Sequence, residues 1–442
     1  MFHWKKDEIP ILQLGNDFYD EVQPAVFIDK KLKYWNDSIQ IGLEKDRLWD
    51  FKSLPNNLPC PLALRYHGHQ FQHYNPDLGD GRGFLYAQVL VNDQWFDLGT
   101  KGSGPTPYSR RGDGKLTLKG AVRESLATEM LESLGVNTSK TFCIYETGEE
   151  LQRNDEPSPT RSAVLTRLSR GHIRIGTFQR LAFLKQIDNL KKLTSYSLFF
   201  YYPKEFALID PANENILASR FLECVVKANA DLVAQVMMAG FVHGVLNSDN
   251  INISGELFDY GPYRFLLNYD PLFTAAYFDH QGLYSYGRQP ATFLWNLTRL
   301  AEALKMAFPD LPAEEILAQF SEQFNERVHF HFLRRLNLKS AGLEKDQKLL
   351  IHFFAMLDSE KLEFEKTFQI FNSKKVLDQK SNVPNQLALL LEKYEIVNSQ
   401  KIRTSEPCTL LIDEIESIWS AISENDDWSL FENKLQAIRS LR

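Results

Sequence analysis

The chain has 442 residues, 43% of them hydrophobic and 24% charged, as in folded globular proteins with two or three domains or one large two-lobed unit. Fifty Lys and Arg against 57 Asp and Glu give a net charge of −7, which argues against a nucleic-acid-binding protein that relies on a basic surface. No apolar run reaches the roughly 18 residues needed to cross a membrane, so no membrane partner is expected.

The cysteines and the first residues indicate the compartment. Four cysteines are widely separated and show neither a C-x-x-C pair nor zinc-ligand spacing: Cys60, Cys143, Cys224 and Cys408. Such thiols are typical of a reducing compartment. The segment Met1–Glu8 turns acidic at once and has no apolar signal core. We therefore expect a cytoplasmic enzyme.

The N-terminal part of the chain favours strands. In residues 1–60, Pro10, Pro24 and Pro55 interrupt long elements, and this segment is predicted to form an extension that wraps the next domain. Residues 61–182 contain one predicted helix, Leu118–Leu134, which ends before Gly135. The predicted strands are Phe84–Val91, Trp95–Thr100, Thr141–Tyr145 and Ala163–Leu168, with Asn92-Asp93 as a hairpin turn between the first two.

From about residue 183 onward the pattern favours helices. Residues 183–372 and 373–442 are predicted to form a helical lobe and a C-terminal helical extension, with a polar, loosely packed stretch at 373–406. The predicted helices are Arg220–Met238, Ala291–Ala307, Ala313–Leu336, Lys345–Met356 and Gln386–Glu395. A strand-rich half followed by a helical half indicates an α+β fold and is what a protein-kinase-like two-lobed fold requires, with residues 61–182 as its N-lobe.

The segment from His243 to Gly261 has the spacing of a kinase catalytic loop. His243 and Asn250 are seven residues apart, and Asp259-Tyr260-Gly261 follows as an analogue of the kinase D-F-G motif. The position of the kinase base holds Val245, which cannot accept a proton. Asp249 is left to accept one from a hydroxyl, while Asn250 and Asp259 offer oxygen ligands for Mg²⁺ or Mn²⁺. An Asn/Asp-rich turn is the structural alternative.

Phosphate-binding candidates precede this segment. The stretch Gly79–Gly83 contains three glycines and Arg82, and glycines let backbone N–H groups approach phosphates. Lys101 ends a predicted strand, and Glu124 on the next helix could hold it, as in kinases. Two further cations, Arg167 and Arg174, suit bidentate phosphate contacts. Each feature alone also fits a ligand-free hairpin or a solvated side chain, but their order favours a nucleotide site.

Together these motifs resemble the selenoprotein O family. The resemblance rests on H-G-H-Q-F-x-x-x-N-P-x-L-G-D-G-R-G (His67–Gly83), K-G-S-G-P-T-P-Y-S-R-x-G-D-G (Lys101–Gly114), R-E-S-L-A-T-E (Arg123–Glu129), H-I-R-I-G-x-F (His172–Phe178), H-G-V-L-N-S-D-N (His243–Asn250), D-Y-G-P (Asp259–Pro262) and D-H-Q-G-x-Y-S (Asp279–Ser285). It implies a pseudokinase fold that transfers AMP from ATP to Ser, Thr or Tyr hydroxyls of proteins, with self-modification as one option.

The resemblance also implies the role of each site residue. Asp249 would accept the proton, Asn250 and Asp259 would bind Mg²⁺ or Mn²⁺, and ATP would lie reversed relative to kinases, with its α-phosphate at the metal. The nucleotide would be held by Gly79, Gly81, Arg82, Lys101, Asp113, Gly114, Arg167 and Arg174, with Glu124 positioning Lys101. Family members carry a selenocysteine or cysteine near the C-terminus, whereas the last cysteine here is Cys408 and Leu272–Asp279 contains none. Redox control through such a pairing is therefore not expected.

Three alternatives remain open from the residues. A kinase would move the γ-phosphate instead of AMP. A UMP transferase would use UTP with Mn²⁺, because phosphate-binding residues do not distinguish the base. A non-catalytic pseudokinase scaffold would bind nucleotide without transferring any part of it.

Overall fold

The computed structural model describes residues 2–43, 50–154, 156–372, 385–397 and 407–442. Within these ranges the protein is a mixed α/β structure with a large antiparallel sheet and many helices. The strands are β1 (Tyr19–Glu21), β2 (Lys31–Trp35), β3 (Leu62–Leu64), β4 (Gly68–Gln70), β5 (His73–Asn75), β6 (Leu85–Val91), β7 (Gln94–Lys101), β8 (Leu116–Thr117), β9 (Lys140–Leu151), β10 (Thr160–Ser169), β11 (Phe241–Val242) and β12 (Arg264–Phe265).

The helices follow mainly after the sheet. They are α1 (Leu118–Ser133), α2 (Ile175–Phe183), α3 (Ile187–Tyr201), α4 (Pro203–Phe206), α5 (Glu214–Met238), α6 (Gln289–Lys305), α7 (Ala313–Ala318), α8 (Phe320–Leu336), α9 (Leu343–Ser359), α10 (Phe364–Phe371), α11 (Asn385–Leu391), α12 (Ile412–Asn425) and α13 (Ser429–Arg439). In the described ranges no helix combines the length and the apolar character that crossing a membrane requires.

The large sheet is built from both the N-terminal segment and the following strands. Its order is β1-β3-β6-β7-β10-β9-β2, and β8 pairs with β10. All of these pairings are antiparallel. Residues 1–60 thus supply β1 and β2, the two edges of the sheet. Two short ribbons, β4-β5 and β11-β12, lie outside it.

The predicted strands and the predicted helix of the N-terminal part are confirmed. Asn92 and Asp93 both have positive φ, 50° and 60°, as a two-residue hairpin turn of type I′ requires. The predicted helix Leu118–Leu134 is α1, and the Thr117 hydroxyl caps it by accepting a hydrogen bond from Gly120 N. The local sequence signals, a turn and an N-cap, therefore fix these elements.

Farther along, one prediction is wrong and another lies partly outside the described residues. The predicted helix Ala313–Leu336 is interrupted at Gln319, whose N–H bonds the carbonyl of Ile316 three residues back and closes α7 with a tighter turn. The other predicted helices are present with shifted ends. Most of the stretch 373–406, expected to be loosely packed, lies outside the described residues.

The C-terminal helices pack against α1. The side chain of Glu129 on α1 is only 2% exposed and accepts hydrogen bonds from Arg439 Nη2 at 2.7 Å and Arg442 Nη2 at 2.7 Å. Tyr34 and Asn36 donate to the same carboxylate, each at 2.9 Å. Glu129 therefore joins α1 to the chain near β2 and to the end of the C-terminal segment.

Candidate active site

A cavity of about 750 Å³ lies between the sheet and the 243–261 segment. The structure brings eleven of the predicted site residues to its wall: Gly79, Gly81, Arg82, Lys101, Asp113, Gly114, Arg167, Arg174, Asp249, Asn250 and Asp259. Glu124 is buried behind Lys101. Residues that are far apart in sequence thus share one cavity.

Lys101 is held between two carboxylates. It ends β7, and its Nζ lies 2.5 Å from Glu124 Oε2 on α1 and 2.6 Å from Asp259 Oδ1. Arg167 Nη1 lies 3.4 Å from the other oxygen of Glu124. Burial by itself would raise the pKa of Asp259, but Lys101 and Arg167 hold it well below its usual range. Asp259 is therefore ionised, and Lys101 forms an ion pair with Glu124, the helix residue that the sequence placed beside it.

Arg174 links the glycine-rich segment to the 243–261 segment. It directly precedes α2, its Nη1 donates to the backbone carbonyl of Asp249 at 3.0 Å, and its Nη2 donates to Asp80 Oδ1 at 3.1 Å. The backbone of Arg174 also bridges Asn252. The sequence analysis missed Asp80. The usable signal was an acidic residue inside a glycine-rich segment that was itself predicted to share a site with arginines.

Asp249 has the surroundings of a proton acceptor. Its side chain is buried, and its Oδ1 has no hydrogen-bond partner in the described part of the chain. Burial raises the pKa of Asp249 to about 6, although the nearby charge of Arg174 opposes this. A carboxylate with a pKa close to neutral is suited to accept a hydroxyl proton.

The 243–261 segment is fixed by hydrogen bonds of its own residues. His243 Nε2 donates to the carbonyl of Phe258 at 3.0 Å, so the loop is joined to the residue before Asp259. Asn250 Nδ2 donates to the carbonyl of Val245 at 2.9 Å. Val245 lines the cavity with an aliphatic side chain at the position where a kinase has its base.

The oxygen atoms at this end of the cavity fit a divalent cation whose ligands come partly from the protein and partly from phosphates. Asp249 Oδ1 is buried without a partner, and the contact of Asn250 Nδ2 with Val245 leaves the amide oxygen without one among the described residues. Asp259 adds a carboxylate. No group of three His, Cys, Asp or Glu side chains in the described ranges could hold a metal alone. Mg²⁺ is typically bound by one or two protein carboxylates plus substrate phosphates and water.

The loop of residues 104–114 forms the outer wall of the cavity. It approaches the glycine-rich segment so closely that a Cβ at Gly79 would lie 2.3 Å from the ring of Tyr108. Asp113 lines the cavity, but its carboxylate is bound by Arg153, with Nη1 at 2.9 Å from Oδ2. Arg110 and Arg111 also line the cavity and were missed, although the R-R pair was visible inside a motif.

The cavity is basic although the chain is acidic. Counting described residues only, eight Arg and Lys side chains and four Asp side chains line it, whereas the whole chain has a net charge of −7. A concave site with an excess of cations attracts a polyanion such as a nucleoside triphosphate.

Comparison with known proteins agrees with this chemistry. A family model described as "Protein adenylyltransferase SelO" matches residues 5–439. The chain belongs to the SelO family. The resemblance inferred from the sequence motifs is thereby confirmed, and membership of this family makes the chain a nucleotidyltransferase, an enzyme that acts on a nucleotide substrate.

The chain is similar to curated relatives over nearly its full length. It is 40% identical to a protein nucleotidyltransferase YdiU of Synechocystis sp., over 97% of this chain and 96% of the relative. It is 42% identical to the protein of that name from Trichodesmium erythraeum, over 98% of each. It is 36% identical to the one from Bacillus thuringiensis, over 84% of this chain and 76% of the relative.

Proposed function

We propose that the chain is a protein adenylyltransferase, which transfers AMP from ATP to Ser, Thr or Tyr hydroxyls of other proteins and of itself. The observation that carries the proposal is the composition of one cavity. Lys101, Arg167 and Arg174 are buried at its wall together with Asp249, while the position of a kinase base holds Val245. The family description names the same type of activity.

The proposed reaction is an in-line substitution at the α-phosphorus. The substrate hydroxyl oxygen bonds to the α-phosphorus, the bond from that phosphorus to the α–β bridging oxygen breaks, and pyrophosphate leaves with that oxygen. Asp249 accepts the hydroxyl proton. Its raised pKa and its Oδ1 without a partner support this role.

The proposed orientation of ATP follows from where the charges lie. AMP transfer expels pyrophosphate, which carries several negative charges and needs fixed cations near it. Lys101 and Arg167 are buried on the sheet side of the cavity, with Arg174 beside them. They would hold the outer phosphates, while the α-phosphate would face Asp249 and the oxygens of Asn250 and Asp259.

Asn250 and Asp259 would hold Mg²⁺ or Mn²⁺ at that end. The bound cation supplies positive charge that neutralises the phosphate oxygens. Gly79, Gly81, Arg82, Asp113 and Gly114 would contact the nucleotide from the outer wall, and Glu124 keeps Lys101 in place.

The proposed architecture is a protein-kinase-like pair of lobes, residues 61–182 and 183–372, with extensions at both ends. The position of the Lys101–Glu124 pair between β7 and α1 supports it, because kinases join a strand lysine and a helix glutamate in this way. A cytoplasmic location is supported by the cysteines, since no disulfide joins them in the described chain.

Parallel incubations with α-labelled and γ-labelled ATP test the proposal. With Mg²⁺ or Mn²⁺ present, we expect the α label to appear on protein and the γ label to be released as pyrophosphate. Transfer of the γ label would identify a kinase, and absence of both labels would identify a scaffold. α-Labelled UTP in a third reaction tests UMP transfer.

A further inference from the structure

A buried histidine–aspartate pair lines the same cavity without a role in the reaction described so far. His172 is 5% exposed, and its Nδ1 lies 2.9 Å from Asp97 Oδ2. The other oxygen of Asp97 accepts a hydrogen bond from Gln88 Nε2 at 2.6 Å, and Gln88 Oε1 accepts one from Ile11 N at 2.8 Å. Burying such polar groups costs free energy unless every member is bonded.

The chain of hydrogen bonds ends at one atom. Asp97 as a carboxylate only accepts hydrogen bonds, so His172 Nδ1 is the donor in this contact. His172 Nε2 is then the last member of the chain, and it has no hydrogen-bond partner in the part of the protein that the structure describes. The network thus holds a ring nitrogen ready for a group inside the cavity.

The strand geometry shows where this nitrogen lies. Asp97, Gly99 and Lys101 alternate along β7 and share one face of the sheet. Arg167 is the register partner of Gly99 on β10. The imidazole takes the space over Gly99, because a Cβ on that glycine would lie 2.6 Å from His172 Nε2. His172 therefore lies beside Arg167, on the side of Gly99 that faces Asp97, opposite to Lys101.

We propose that His172 binds the terminal phosphate of the nucleotide and that Asp97 is its positioning residue. The inference rests on the proposed function, in which the α-phosphate lies at Asp249 and Asp259. The outer phosphates then extend past Lys101 and along β7 to the imidazole. In the proposed complex the imidazolium form bridges the two anions, with Nδ1–H donating to Asp97 and Nε2–H donating to the phosphate.

This arrangement makes the site specific for a triphosphate. ADP retains the groups that meet Asp259 and Lys101 but lacks the phosphate that reaches His172. Pyrophosphate, the leaving group, retains it. Removing the imidazole should therefore weaken the binding of ATP and of pyrophosphate and leave the binding of ADP unchanged.

Calorimetric titration of the purified enzyme with ATP, ADP, AMP and pyrophosphate, in Mg²⁺ and without protein substrate, tests the inference. We expect His172→Ala to raise the dissociation constants of ATP and pyrophosphate about ten- to a hundredfold, the range for a hydrogen bond to a charged group. The dissociation constant of ADP should not change. His172→Gln keeps a donor and should lose less. Asp97→Asn should raise KM for ATP more than it lowers kcat. His352→Ala, outside the cavity on α9, is the matched control.

The possible results are separable. If His172→Ala weakens the binding of ATP, ADP and AMP equally, the ring contacts the base or the ribose. Both this inference and the reversed orientation of ATP would then be wrong. If no affinity changes, His172 contacts no nucleotide and the inference alone is wrong, because the α-label assay of the wild type still decides AMP transfer. Melting temperatures show whether a variant is folded. If His172→Ala is unfolded, the nucleotide affinities of His172→Gln are compared with those of the wild type instead.

Discussion

Replacing Asp249 with asparagine tests the proposed proton acceptor without disturbing its surroundings. Asparagine has nearly the same shape, and Asp249 Oδ1 has no hydrogen-bond partner among the described residues that would be lost. Arg174 bonds the backbone carbonyl of Asp249, at 3.0 Å, which the substitution leaves in place. The variant should therefore fold normally and lose only the ability to accept a proton.

The expected loss lies in catalysis and not in binding. A positioned general base contributes roughly a hundredfold to ten-thousandfold in rate, or about 3 to 5 kcal/mol of the barrier. Removing a negative charge that faces a polyphosphate should leave ATP affinity unchanged or slightly higher. The rate of α-label transfer at saturating ATP and the ATP dissociation constant measure the two effects separately.

A matched control is Asp358→Asn, an exposed aspartate that pairs with Lys361 outside the cavity. It should have wild-type activity. If Asp249→Asn transfers label within tenfold of the wild-type rate, Asp249 is not the proton acceptor. If it fails to bind ATP, the residue has a binding role that the proposed reaction does not contain.

Three further substitutions test other parts of the structure. Asp259→Asn, which suits the positive φ of 64° at this position, should lower metal-dependent ATP affinity and transfer together, measured by titration at several Mg²⁺ concentrations. Arg439→Ala should lower the free energy of unfolding by about 1 to 3 kcal/mol in urea titration, less than a fully buried pair because Arg439 is one-third exposed and Arg442 still binds Glu129. Burial raises the pKa of Glu256 to about 8, so the folded protein keeps a proton that the unfolded chain loses above its ordinary pKa, and stability falls as pH rises through this interval. Glu256→Gln should remove this fall, up to about 1.4 kcal/mol per pH unit.

Each of these has a result that would contradict it. Asp259→Asn with an unchanged Mg²⁺ dependence would show that Asp259 is not a ligand. Lys348→Ala breaks only an exposed ion pair on α9. If Arg439→Ala has the same free energy of unfolding as Lys348→Ala, the ion pair of Arg439 with Glu129 does not stabilise the fold. Melting temperatures of wild type and Glu256→Gln that fall in parallel from pH 5 to 8 would assign the pH dependence to other groups.

Local signals in the sequence predicted those parts of the fold and site that depend on neighbouring residues. The Asn92-Asp93 turn identified the β6–β7 hairpin, and helical spacing identified α1. Lys101 and Glu124 were matched because a strand lysine followed by a helix glutamate is a known order. In the structure Lys101 Nζ and Glu124 Oε2 lie 2.5 Å apart.

Contacts between distant residues could not be predicted in this way. The partners of His172 and Arg174 are Asp97 and Asp80, which come from other elements, and periodicity does not show which strands become neighbours. The interruption at Gln319 was missed because apolar spacing continues across it. The binding of Asp113 to Arg153 depends on a loop that the pattern left undefined.

The origin of the sheet's edges has a consequence for how the chain folds during synthesis. Tyr34 of β2 pairs with Ile144 of β9, more than a hundred residues later, so a ribosome releases β2 long before its partner strand. Until then that segment has unsatisfied backbone groups of the kind that recruit other chains. Lys31 and Lys33 on β2 place charge there, a feature that opposes aggregation of nascent chains. Neutralising Lys31, which is exposed in the folded protein, should therefore lower the soluble yield while leaving the free energy of unfolding of the finished enzyme unchanged.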